Sequence, residues 1–227
     1  MTLDASRPGA GKAEVAGATL DRPDPDHAIF IAAPLSPEAR AAVSAMVEGI
    51  RERAPGTRPG APTNERHVRW VRLDGLHLTL RFIGPTDPGR LDDLAAAVRR
   101  AAAAVTPFPV ILSGGGGFPN PRRPRTLWIA AVDGIRELTE LDATVDREVV
   151  RAGWEADQRP FVPHLTLARS DGVAGGSETL RLLVEAARVL EVTWHVDRLM
   201  LFESITGGGP ARYRPLLTVP LGGAAAG

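Results

Sequence analysis

The residues of this 227-residue chain best suited to chemistry are two histidines, each heading the same tetrapeptide: His77 in "GLHLTLRFIG" and His164 in "VPHLTLARS". In an extended strand side chains alternate, so His77 and Thr79 share one face while Leu78 and Leu80 share the other. His164 and Thr166 repeat the arrangement, with Leu165 and Leu167 as anchors. Residues i and i+2 lie ~6.6–6.8 Å apart, near enough for an imidazole and a hydroxyl to meet one small anion. Side by side, two such strands form an acid/base site for a phosphodiester. Near neutral pH one imidazole can be neutral and act as base while the other is protonated and acts as acid. The threonine hydroxyls can donate to the non-bridging oxygens, where charge grows in the transition state. A single HLTL would read more simply as a strand with a half-buried, backbone-bonded histidine; two copies would need that coincidence twice.

The surrounding elements explain how two such strands could meet. "HAIFIAAPL" reads as a strand, Ser36-Pro37 as a helix start, and the helix continues to about Arg53. A Pro/Gly-rich loop at 54–66 precedes the strand-like "HVRWVRL" and "LHLTLRFIG". Asp87-Pro88 opens a helix with Leu91, Leu94, Ala95 and Val98 on one face, and "FPVILSG" is a strand. The second half repeats this order: "RTLWIAAV" as strand, Ile135 to about Gly153 as helix, then "PHLTLARS". A helix capped by Ser177 follows, with strands in "VTWHVDRLMLFES" and "ARYRPLLTVPL". The expected fold is α+β and bilobal: two pseudo-twofold related β-α-β-α-β halves whose sheets face a central cleft. The lobe boundary is expected near residues 113–125, where four glycines and then prolines should stop any regular element. Residues 1–26 read as a mobile tail, 27–221 as the folded domain and 222–227 as a disordered end.

Composition narrows the functions. Net charge is zero, which argues against coating long nucleic acid with a broad basic surface, though a local basic site is allowed. No apolar run reaches the ~18 residues of a membrane span. Without cysteine there is no disulfide or thiolate chemistry, and with no secretory signal the expected location is the cytoplasm. "GAGK" at 9–12 fails as a phosphate loop, because Ser6 and Ala13 stand where Gly and Ser or Thr are needed. "DRPDPDH" suits a solvated linker better than a metal cage, and His67 and His195 have no ligand spacing, so no metal or other cofactor is expected. Arg122, Arg123 and Arg125 read as a solvated loop able to attract RNA, and Phe118 as a stacking residue or a loop anchor.

At the paired motifs the chain resembles the two-histidine phosphoesterases, and among them the RNA 2',3'-cyclic phosphodiesterases historically called 2'-5' RNA ligases, whose hallmark is a pair of HxTx motifs. "HAIFIAAPLSPEAR", "GGGGFPNPRRPRTLWIAAV", "FVPHLTLARS" and "YRPLLTVPL" extend the resemblance from about His27 to Leu221. It implies hydrolysis of a 2',3'-cyclic phosphate at an RNA 3' end to a 2'-phosphate without metal; a monomer that needs no other cofactor is expected. It implies that His77 is the proton donor to the leaving 3' oxygen, that His164 is the base activating water, and that Thr79 and Thr166 bind the phosphate. Arg169 matches a basic residue just after the second motif; strict alternation puts it on the wrong face unless the strand ends or bulges. Arg81 has the right parity for the cleft, although a solvated strand end is its simpler reading.

Three rival functions follow. One is a reversible 2'-5' RNA ligase; a lysyl-nucleotide route would depend on Lys12, the chain's one lysine, in the tail. The others are a phosphodiesterase for a small cyclic nucleotide and a non-catalytic RNA-end binding module, which would need no pair of titratable bases.

Overall fold

A computed structural model describes residues 23–54, 68–171, 176–207 and 209–223 of the protein. Among them are four α-helices and nine strands. In chain order they are β1 (Ala28–Pro34), α1 (Pro37–Arg53), β2 (Val68–Trp70), β3 (His77–Pro85), α2 (Leu91–Ala103) and β4 (Phe108–Phe118). Then come β5 (Thr126–Asp133), α3 (Ile135–Arg151), β6 (His164–Ser170), α4 (Gly176–Ala187), β7 (Val192–Val196), β8 (Arg198–Gly207) and β9 (Gly209–Pro220). Local signals set several boundaries. The Ser36 hydroxyl accepts the Ala39 N–H and Pro37 opens α1. Asp87 accepts the Gly89 N–H, starting a single 3-10 turn before α2, and Leu91, Leu94, Ala95 and Val98 are buried as their spacing requires.

The sheet order is β7-β4-β5-β6-β3-β1-β8-β9, with β2 also paired to β6. The order is symmetric about the β6/β3 seam, so each lobe holds four strands of this path, and all the pairings are antiparallel. The fold is thus bilobal, but the lobes are not contiguous halves of the sequence. β4, from the first half, lies between β5 and β7, while β8, from the end of the chain, lies against β1. The helices cross over too: α1 packs on α4 and β7, and α3 on α2 and β3. Each half donates two strands and a helix to its counterpart, β2, β4 and α1 one way and β8, β9 and α3 the other, so pairing between distant segments ties the lobes together.

The glycine run corrects the sequence reading, because β4 continues through Gly114–Gly117 to Phe118. Gly114, at φ 68°, sits where the β4/β5 register shifts between Ser113 and Gly115, the geometry of a glycine bulge. Beyond it both faces of β4 are closely covered. A Cβ on Gly115 would stand 3.3 Å from the Val184 backbone in α4, and one on Gly116 would stand 2.2 Å from the Trp128 ring opposite. The glycines therefore let a helix and an indole approach a strand, and no break at 113–125 divides the lobes.

Three other expectations shift. Ser177 lies inside the first turn of α4, which begins at Gly176. The fold starts before His27, because the Asp24 N–H donates to Glu203 Oε1 at 2.9 Å and Pro23 is buried. Gly222 belongs to a closing 3-10 turn at Leu221–Gly223, where its N–H donates to Val105 O at 2.7 Å. Residues 1–22, with Lys12 and GAGK, the 55–66 part of the Pro/Gly-rich loop, His67 and residues 224–227 lie outside the described residues.

Gly116→Ala tests the close approach. The new methyl must displace the Trp128 indole, which is expected to cost about 1–3 kcal/mol, seen as a lower urea midpoint together with altered tryptophan fluorescence. Unchanged stability and emission would mean that Trp128 does not lie over the strand.

A candidate active site at the seam of the two lobes

Leu78 of β3 pairs with Leu165 of β6 in antiparallel register. Both leucines are fully buried, so the flanking residues of each motif face the opposite side of the sheet. Antiparallel register then sets His77 across from Thr166 and Thr79 across from His164. The two HLTL segments thus lie head to tail on neighbouring strands, with all four polar side chains on one face. His77, Thr79, Thr166 and Arg169 line an open pocket of about 400 Å³ with Arg69, Trp70, Phe82 and Tyr213. His164 is not in that wall; it stands on the same face of β6 as Thr166, which is.

The imidazoles are held alike. His77 Nδ1 lies 2.7 Å from Gly75 O, and His164 Nδ1 lies 2.6 Å from Val162 O, each two residues upstream. A carbonyl can only accept, so both Nδ1 atoms carry hydrogen and both Nε2 atoms keep a lone pair for the cleft. Aromatic rings fix the planes. Phe30 and Tyr213 lie 4.8 and 4.9 Å from the His77 ring, the second edge-on, and Phe118 meets His164 edge-on at 5.1 Å. Phe118 is therefore a support for His164, anchored in turn on Trp128 at 5.0 Å. Burial among these rings pushes the His77 pKa down to about 4, partly offset by the Gly75 carbonyl. The His164 pKa is also lowered, first by burial and further by the Arg169 charge. Both rings are therefore neutral at pH 7 in the free protein.

Arg169 reaches the cleft because β6 bulges. Leu167 and Ala168 are buried in succession, and the β5/β6 register shifts there, which reverses the alternation. Arg169 Nη1 then donates to Thr126 Oγ1 on β5 at 2.6 Å, and its charge acts on both His164 and Tyr213. β3 bulges at the matching place, where Leu80 and Arg81 are buried together. Arg81 is consequently neither in the cleft nor solvated. It points behind the sheet, 3.4 Å from Asp146 and 3.1 Å from Asp157, and also donates to Glu155 O. Phe82 takes the position in β3 that Arg169 takes in β6, and is 47% exposed on the pocket wall. Sequence reasoning missed Arg69, Phe82, Tyr213 and Trp128, which strand pairing brings to the site from separate segments; the sole sequence signal was the equal five-residue spacing of Phe82 and Arg169 from their histidines. Arg122, Arg123 and Arg125 are exposed in the β4–β5 connection and do not line the pocket. Among the described residues, no three His, Cys, Asp or Glu side chains are grouped to hold a metal ion.

Two facing strands at the centre of a bilobal antiparallel sheet, each presenting histidine and threonine on one face, define a two-histidine phosphoesterase architecture. The chain belongs to the 2'-5' RNA ligase superfamily, whose model matches residues 36–208. It is 30% identical over 164 residues to an RNA 2',3'-cyclic phosphodiesterase of Methanothermobacter thermautotrophicus, covering 72% of this chain and 88% of that one. It is 32% identical to a protein of the same name from Geobacillus stearothermophilus over 86% of this chain and 57% of the longer relative. A solved structure from Thermus thermophilus superposes with a TM-score of 0.60 at 32% identity, covering 87% of this chain and 100% of that one. For the fold alone, Escherichia coli LigT complexed with 3'-AMP aligns over 86% of this chain and 98% of its own, with a TM-score of 0.62 at 24% identity.

The depressed His77 pKa makes a stability prediction. The unfolded ring takes up its proton near pH 6.5 and the folded ring only near 4, so acid favours the unfolded chain over this window. Relative to His77→Gln, the wild-type protein is expected to lose roughly 3 kcal/mol between pH 6.5 and 4, measured by urea unfolding at each pH. Parallel stability curves for the two proteins would show that His77 titrates normally.

Proposed function

We propose that this protein hydrolyses the 2',3'-cyclic phosphate at RNA 3' ends, leaving a 2'-phosphomonoester, with His77 and His164 as acid and base. The observation that carries the reading is the head-to-tail register of the two HLTL strands, which puts each histidine across from a threonine on one face, with both Nδ1 atoms held by backbone carbonyls and both Nε2 lone pairs left for a substrate. Membership of the superfamily and the names of the relatives support the same substrate.

In the proposed reaction His164 Nε2 takes a proton from water as the water oxygen bonds to phosphorus. The bond from phosphorus to the 3' oxygen breaks, and His77 Nε2 delivers its proton to that oxygen. Thr79 and Thr166 donate to the non-bridging oxygens, and Arg169, steadied by Thr126, balances their charge. Phe82 offers its exposed face to the base. A neutral His77 must gain a proton first, and the substrate supplies the cause: an anionic phosphate against Nε2 favours the imidazolium and raises the pKa from about 4. Turnover is proposed to be metal-independent, and the chelator assay below tests it. Proton transfer at nitrogen and oxygen needs no cofactor, and among the described residues no helix is long and apolar enough to cross a membrane.

The direct test incubates a short RNA ending in a 2',3'-cyclic phosphate with enzyme and excess chelator, then locates the phosphate in the product. A 2'-phosphate is expected; a 3'-phosphate or no product would overturn the reading. His77→Ala and His164→Ala should each lower kcat by about 10²- to 10⁴-fold, and the double variant much less than their product. A better leaving group at the 3' position should partly rescue His77→Ala but not His164→Ala. Thr79→Val and Thr166→Val should each cost about 10²-fold in kcat. The pH dependence follows from the shifts. kcat/KM reports the free enzyme and should form a bell peaking below pH 6.5, while the kcat bell should lie at higher pH because bound phosphate raises the acid's pKa. A kcat/KM rising steadily from about pH 5 to 9 would contradict the two-histidine assignment.

A further inference from the structure

β2 is three residues long, and its alternation places a bare cation in the cleft. Val68 and Trp70 are buried while Arg69 is exposed on the pocket wall. Arg69 lies directly across from Arg169 on β6, and directly opposed residues share a face. Like charges so placed repel, and nothing among the described residues relieves them on the Arg69 side. Arg169 is drawn the other way, toward Thr126 on β5. Beyond the backbone pairing of β2, the Arg69 guanidinium has no hydrogen bond or ion pair among the described residues. Its neighbours contrast with it: Arg72 is paired with Asp74, Arg81 with Asp146 and Asp157, and Arg214 with Glu203. The pocket wall contains two arginines and no carboxylate, in a chain whose net charge is zero.

The geometry points to Arg69 as the ligand of the internucleotide phosphate on the 5' side of the terminal nucleotide, making it the residue by which this cleft distinguishes an RNA end from a cyclic mononucleotide. The assignment rests on the cyclic-phosphate reading above. A cyclic mononucleotide carries one anionic phosphate, in the ring, and an RNA end carries one more for each link. The ring phosphate is taken by the histidines, the threonines and Arg169, leaving Arg69 for the next. Allowing for the bulge, the Arg169/Arg69 row lies one pleat repeat, ~6.6–6.8 Å, beyond Thr166, so Arg69 offers its charge one step out from the reacting centre. Buried Trp70 anchors the short strand, holding that charge in place before substrate arrives.

The experiment compares a dinucleotide ending in a 2',3'-cyclic phosphate with the nucleoside 2',3'-cyclic phosphate of the same base. Arg69→Gln is expected to lower kcat/KM for the dinucleotide about tenfold or more, the scale of one charged hydrogen bond, and for the mononucleotide several-fold less. The salt dependence of kcat/KM on the dinucleotide should flatten by about 0.7 in log–log slope, as for one lost phosphate contact on a single strand. Arg69→Lys should restore the slope and part of the rate. Equal losses on both substrates would place Arg69 on the ring phosphate and overturn the assignment, as would an unchanged dinucleotide rate in Arg69→Gln. If the wild-type protein cleaves both substrates, either outcome counts against Arg69 alone. Failure of the wild type on both would bring down the cyclic-phosphate reading and this assignment with it.

Discussion

One backbone pairing, Leu78 with Leu165, decides the rest of the site. It is the single register point at which the β3 and β6 strands meet, and both side chains are fully buried. Strand geometry has a period of two, so a slip of one residue would send the histidine and the threonine of the slipped strand into the core. A slip of two would keep them on the cleft face but set histidine against histidine. The observed register sets each histidine across from a threonine, leaving the imidazoles at opposite corners; in the proposed reaction this offers the phosphate a hydroxyl on each side. In-line displacement needs that opposition, because the attacking and leaving oxygens lie on opposite sides of phosphorus.

What holds this register is distributed over the whole chain. β4 inserts between β5 and β7, and β8 and β9 extend the sheet beyond β1, so neither lobe can form from one half of the sequence. Leu78→Asp would therefore unfold more than one strand, because the charge would enter the face shared by both lobes. Arg81 reinforces the seam from behind, joining β3 to Asp146 of α3 and to Asp157. Asp142, Asp146 and Asp157 there outnumber Arg81 and Arg159, which holds Asp157 from the other side, and Asp142 is pushed up to about 6, first by burial and then by Asp146 and Asp157. The second lobe has no equivalent, since Ala168 occupies the matching bulge position.

The motifs, most elements and the alternation inside HLTL were legible in the sequence because they follow from local period and capping. Ser36, Asp87 and the Leu91 face of α2 behave as their types and spacing require. The strand exchange was not legible, since periodicity shows that a segment is a strand but not which strand it joins. The four glycines misled for a related reason: glycine breaks an isolated strand, yet is required where Trp128 and α4 press on both faces, and those neighbours arrive from distant sequence. The bulges decided the two arginines. Arg169 gained the cleft and Arg81 lost it, by the same one-residue shift at matching places, and nothing in HLTLRF or HLTLAR announces that shift.

The matching bulges also show how a symmetric scaffold can carry an asymmetric substrate. Each lobe presents histidine, threonine and one further side chain five residues after the histidine. In the β3 lobe that residue is Phe82, beside Phe30 and Tyr213; in the β6 lobe it is Arg169, between Thr126 and Arg69. One wall is aromatic and the other cationic. A nucleotide has the same division, a flat base and charged phosphates, so it has one favourable orientation across the seam and an unfavourable reverse. The reverse would desolvate a phosphate against phenyl rings, without the hydrogen bonds that such a transfer needs. Orientation is what assigns different work to chemically equal histidines. Both donate Nδ1–H to a carbonyl two residues upstream, and both are neutral in the free protein. In the proposed reaction, the side on which the leaving oxygen falls makes one ring the acid and the other the base.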